Sequence, residues 1–174
     1  PTVFNILGPL ANPAKPKSAA IGVANDRMHL VMAQVLGDRG VDGFVFRGDD
    51  GLDELTLTTT TQVLTIGNGE IESGLIDPPK FGIDYSPIEK LVGGDASENA
   101  EIALAVFAGE KGAPRDATIL NAGAAIAAFN NDAELDLTTR LEEGIAAAVD
   151  AIDSGAATDL LNRWAKLTQA LVNS

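Results

Sequence analysis

Gly43-Phe44-Val45-Phe46-Arg47-Gly48 limits the folds open to this chain more than any other stretch, because it is a short apolar run closed by glycine at both ends. A strand buried on both faces reads as unbroken apolar sequence, whereas a half-exposed strand alternates. Residues 18–24, Ser-Ala-Ala-Ile-Gly-Val-Ala, form a second candidate strand upstream. Between the two, Asn25 or Asp26 can cap a helix over 27–36, whose Met28, Val31, Met32 and Val35 follow helical spacing. Gly40 ends that helix. Strand, helix and strand in that order imply a parallel pair with a right-handed crossover, and hence an α/β sheet. His29 lies off the apolar stripe and reads as a surface residue without a catalytic role.

The second strand breaks at Gly48 into a loop carrying Asp49, Asp50, Asp53 and Glu54, four carboxylates within six positions. In open α/β sheets, ligands collect beyond the carboxyl ends of strands. Four acids held there repel one another and need either water or a cation. Magnesium is usually held by one or two carboxylates together with the phosphates of a substrate. Adjacent Asp53 and Glu54 suit that task, with Gly51 letting the backbone turn. The plainer alternative is a solvated acidic turn joining two strands.

The 174 residues fit one domain with a proper core, 45% of them being hydrophobic. A formal net charge of −13 argues against nonspecific binding to nucleic acid or to an anionic membrane. An anionic substrate would need local help from cations, metal or helix ends. The lack of cysteine excludes disulfides, thiolate metal sites and cysteine nucleophiles, and the single histidine leaves no room for a His-rich metal site. No apolar run approaches membrane-spanning length and no secretory signal opens the chain, so a cytoplasmic location is expected. Pro1-Thr2-Val3-Phe4 has no methionine and starts with an element already under way, as expected of a piece of something longer.

The remaining segments extend this frame. Residues 4–13 end in Gly-Pro and Asn-Pro punctuation and read as an ordered loop packed on the core. After the acidic loop, 55–58, 61–66 and 70–72 are threonine-rich and alternating, with Gly67-Asn68-Gly69 as a tight turn, so a small antiparallel ribbon is expected on the sheet. From Pro87 the pattern becomes helical. Ser97 and Glu98 can start a helix reaching residue 108, with Ala103, Val106 and Phe107 on its buried side. Pro114-Arg115-Asp116 opens another over 117–129, apolar almost all round and therefore buried, in which Asn121 is assigned a core hydrogen bond. Helices over 137–152 and 156–171 follow, split at Ser154-Gly155. The stripe Leu160, Leu161, Trp164, Leu167 and Leu171 on the last reads as core or subunit contact.

Five motifs in order carry a resemblance. Thr2-Val3-Phe4-Asn5-Ile6-Leu7-Gly8-Pro9-Leu10-Ala11-Asn12-Pro13 resembles the T-x-F-N-x-L-G-P-L-x-N-P signature of the anthranilate phosphoribosyltransferase family. Gly51-Leu52-Asp53-Glu54-Leu55 resembles its G-L-D-E segment, and Gly93-Gly94-Asp95-Ala96 through Ala100 its G-G-D-A-x-E-N-A helix start. Arg115-Asp116 with Leu120-Asn121-Ala122 is similar to its R-D-x-x-x-L-N-A helix, and 151–155 to its A-I-D-S-G.

The resemblance implies transfer of the phosphoribosyl group from phosphoribosyl pyrophosphate to anthranilate in tryptophan biosynthesis, with Mg2+ as cofactor and a homodimer when complete. It implies an α/β fold, the C-terminal part of the large α/β domain of the nucleoside phosphorylase/phosphoribosyltransferase type, with a mixed sheet and flanking helices. Asp53 and Glu54 become metal ligands, and Gly8 and Pro9 lie beside the anthranilate site. The family's G-T-G-G-D phosphate loop, its N-x-S-T and K-H-G-N-R segments and an anthranilate-binding arginine fall upstream of Pro1. Residues 1–174 are therefore expected to be a single partial α/β domain, without the N-terminal helical domain and phosphate-binding loops, and inactive alone. Two other readings are a non-catalytic α/β module for oligomerisation or ligand binding, and a relative of the pyrimidine nucleoside phosphorylases.

Overall fold

Phe44, Val45 and Phe46 are buried on both faces of a sheet, as their unbroken apolar sequence requires. The computed structural model describes residues 3–132 and 134–172, with the backbone alone for 3–6. Strands β1 (Ser18–Gly22), β2 (Asp42–Gly48), β3 (Thr61–Gly67) and β4 (Glu70–Ile76) lie in that spatial order. β1 and β2 are parallel, with Ala20 opposite Phe44, and are joined through helix α2 (Asp26–Asp38). β2–β3 and β3–β4 are antiparallel, so the expected ribbon continues the sheet. Asn68 and Gly69 take φ of 53° and 81°, the paired left-handed conformation of a two-residue hairpin turn.

Side-chain alternation along β2 sorts the core into two layers. Val45 joins Met32, Ala33 and Leu36 of α2 on one face. Phe44 and Phe46 face the other side and pack with α4 (Ala113–Asn130) and α5 (Leu137–Asp153). α4 and α5 approach closely through facing glycines, since a Cβ on Gly144 would stand 2.1 Å from the Gly123 carbonyl oxygen. Arg140 of α5 lies 4.7 Å over the Phe44 ring, and buried Arg115 of α4 donates to Asp153 at 2.8 Å. α3 (Ala96–Phe107) is capped by Asp95, whose carboxylate accepts from the Ser97 and Glu98 amides. No helix among the described residues is long and apolar enough to cross a membrane.

The structure departs from the sequence-based expectations in several places. The loop expected over 4–13 is largely helix α1 (Val3–Leu10), because Pro9 falls in its last turn and ends the helix without preventing it. Residues 55–58 do not pair as a strand, although Leu55 and Leu57 are buried. The core face of α2 is His29, Met32, Ala33 and Leu36, while Val31 is 42% exposed. His29 is therefore not a surface residue: its Nε2 donates to the Val45 carbonyl at 2.9 Å, which satisfies the ring inside the core. On α3, Val106 is buried but Ala103 is exposed. The stripe of α6 (Ala156–Val172) is not core, with Leu160, Trp164 and Leu167 all open to solvent.

Candidate active site

Residues 49–58 cross the carboxyl ends of the two parallel strands, because β2 ends at Gly48 and the end of β1 meets the main chain of Asp53. A Cβ on Gly22 would lie 1.6 Å from the Asp53 carbonyl oxygen, so only glycine permits that approach. The four acids divide by role. Asp50 accepts from the Thr56 hydroxyl at 2.6 Å, from the Thr58 hydroxyl and from the Leu52 amide at 3.0 Å. Burial would raise its pKa, but these donors outweigh it and hold the carboxyl below the usual range. Asp49 accepts from the Thr60 hydroxyl and from Gln62 at 3.2 Å. Both acids are committed to shaping the loop.

Asp53 and Glu54 differ: both are exposed, and no described residue hydrogen-bonds or ion-pairs with either carboxylate. Burial, then the charges of Asp53 and Asp50, push the Glu54 carboxyl up. Glu54 lines a cavity of about 210 Å³ with Leu55, Leu57, Lys90, Val92 and Ile102. The loop is fastened behind the pair. Asn121 of α4 accepts from the Leu55 amide and donates to the Leu55 carbonyl, both at 2.9 Å, which is the core hydrogen bond expected of it.

Asp53 and Glu54 are neighbours in sequence whose charges repel each other, and neither carboxylate bonds to a described residue, so a divalent cation would relieve that repulsion. No group of three or more His, Asp or Glu able to hold a metal occurs among the described residues. A cation at Asp53 and Glu54 would thus complete its shell with water and substrate oxygens. Gly8 and Pro9 stand elsewhere. Pro9 lines a separate groove of about 720 Å³ with Leu10, Lys17, Ile21 and Arg39, and the space where a Gly8 side chain would project is open. The Glu54 cavity and the Pro9 groove share no lining residue. Sequence reasoning missed Gly22 and Asp50 as supports; the signal for Asp50 was the threonine run at 56, 58 and 60, which supplies nearby hydroxyl donors.

The parallel pair, its antiparallel extension and an acidic loop across the strand ends define a mixed α/β protein. A sequence model described as glycosyl transferase family, a/b domain, matches residues 1–158, and the chain belongs to this family. It is 49% identical over 174 residues to an anthranilate phosphoribosyltransferase of Rhodococcus jostii, covering all of this chain and 48% of that protein. The crystal structure of the Thermus thermophilus anthranilate phosphoribosyltransferase matches 94% of the chain and 47% of that protein, with a TM-score of 0.79 and 36% identity. The Saccharomyces cerevisiae enzyme, solved in complex with PRPP and Mg, matches 93% of the chain and 46% of its own length, with a TM-score of 0.80 and 26% identity. The chain spans about half the length of the relatives it matches.

Proposed function

We propose that the chain forms part of an enzyme that transfers the phosphoribosyl group of phosphoribosyl pyrophosphate to anthranilate, releasing pyrophosphate. Residues 1–174 make a single partial α/β domain of it, and the complete enzyme is a cytoplasmic homodimer. Asp53 and Glu54 hold Mg2+, and Gly8 and Pro9 lie beside the anthranilate ring. One observation carries this reading: an acidic pair without partners among the described residues, on a braced turn over the ends of parallel strands, in a chain similar to such enzymes along its whole length.

When bound, magnesium neutralises charge building on the departing pyrophosphate. Asp53 and Glu54 offer anionic oxygens that no donor among the described residues competes for. Mutual repulsion of the pair makes the cation-bound state the favoured one. Open space at Gly8 admits a flat ring against the backbone. No covalent nucleophile is required, and positioning of the two substrates supplies most of the barrier lowering.

Thermal melts test the proposal. Pyrophosphate with Mg2+ is expected to raise the melting temperature of the chain, and Asp53→Asn with Glu54→Gln to abolish the shift. An equal shift in that double variant would contradict the assignment.

A further inference from the structure

We infer that Asn121 is a positioning residue for the Asp53–Glu54 pair: through Leu55 it fixes where the two carboxylates stand when they take up a divalent cation. The inference rests on the proposed role of that pair as a cation site. Leu55 directly follows Glu54, is 1% exposed and belongs to no strand, so its amide and carbonyl need partners from outside the sheet. One side chain supplies both. Asn121 Nδ2 has a second bond, to the Ala117 carbonyl at 3.0 Å, so both of its hydrogens and its oxygen are engaged. That leaves the amide no room to swing. Its helix is held in turn by buried Leu120, Gly123 and Ala124.

The other flank of the pair is anchored as firmly. Asp53's carbonyl lies against Gly22 at the end of β1. The backbone is thus pinned on either side of two side chains that themselves bond to no described residue. Ligand carboxylates perform best when a surrounding layer fixes their orientation, and loss of such a support weakens metal affinity. Among the described residues, Asn121 is the one side chain that grips the residue next to Glu54 in both hydrogen-bonding directions.

The probe is Mn2+ with inorganic pyrophosphate on the full chain, the free ion being counted by its electron paramagnetic resonance. Asn121→Ala is expected to weaken Mn2+ binding by about tenfold or more at a temperature where circular dichroism shows the variant folded. Leu141→Ala removes buried bulk from α5, which lends no residue to the Glu54 cavity. It is expected to lower the melting temperature while leaving Mn2+ affinity unchanged. Should Asn121→Ala fail to fold, Asn121→Ser takes its place with the same expectation. Wild-type affinity in the folded Asn121 variant, or an equal loss in Leu141→Ala, overturns the inference. In the first case Asp53→Asn with Glu54→Gln still abolishes binding and the cation site stands. If the wild type binds no Mn2+, or that double variant binds it unchanged, the cation site falls and the inference with it.

Discussion

Burial and the charges of Asp53 and Asp50 hold the Glu54 carboxyl above the ordinary glutamate range, and no lysine or arginine bonds to it among the described residues. The folded chain then keeps a proton at pH values where the unfolded chain has released it. Stability therefore falls as pH rises through the window between the two pKa values. Glu54→Gln is expected to raise the melting temperature at pH 7 by about 1 °C, a scale set by solvent screening of an exposed group. The gain should vanish once the pH drops below the ordinary glutamate range, as paired melts at the two pH values would show. This acidic pair was legible in the sequence because adjacency and a glycine-bounded loop are local facts. The division of labour among the four acids was not, since Thr56, Thr58 and Gln62 reach Asp50 and Asp49 only once the loop closes on itself. His29 escaped for a related reason: its partner, the Val45 carbonyl, lies on another element.

At the scale of elements, the α4–α5 crossing depends on two glycines that meet face to face. Alanine normally strengthens a helix relative to glycine by about 1 kcal/mol. At Gly144 the added Cβ would lie 2.1 Å from a backbone oxygen of Gly123, which cannot turn aside as a flexible side chain could. Gly144→Ala is therefore expected to destabilise the chain by about 1–3 kcal/mol in urea denaturation. A stabilised variant would show that the helices can part without loss. The strand–helix–strand unit and the long helices were readable because their signals are periodic and lie within one segment. Helix α1 was obscured by Pro9, which punctuates sequence wherever it falls but tolerates a last helical turn. Residues 55–58 read as strand because they alternate, yet the backbone of Leu55 is satisfied by Asn121 and not by a neighbouring strand.

Over the whole molecule, large apolar side chains remain open to solvent in several places. Phe129 at the end of α4 is 79% exposed and Trp164 on α6 is 63% exposed, with Val92 and Leu167 similarly uncovered. Scattered apolar residues are ordinary on a protein surface, whereas leucine and tryptophan exposed together on one helix face are a patch that association would cover. The chain is expected to self-associate at micromolar concentration in sedimentation velocity, and a single compact monomer would contradict that. Occupancy of the sheet's rim by a divalent ion decides the proposed function. Anomalous diffraction at the manganese edge, from crystals of the chain grown with Mn2+ and pyrophosphate, addresses it most directly. The expected result is one ion about 2.1 Å from carboxylate oxygens of Asp53 and Glu54 and bonded to the diphosphate. An ion bound to the diphosphate but held by other residues, with both carboxylates left in solvent, would contradict it.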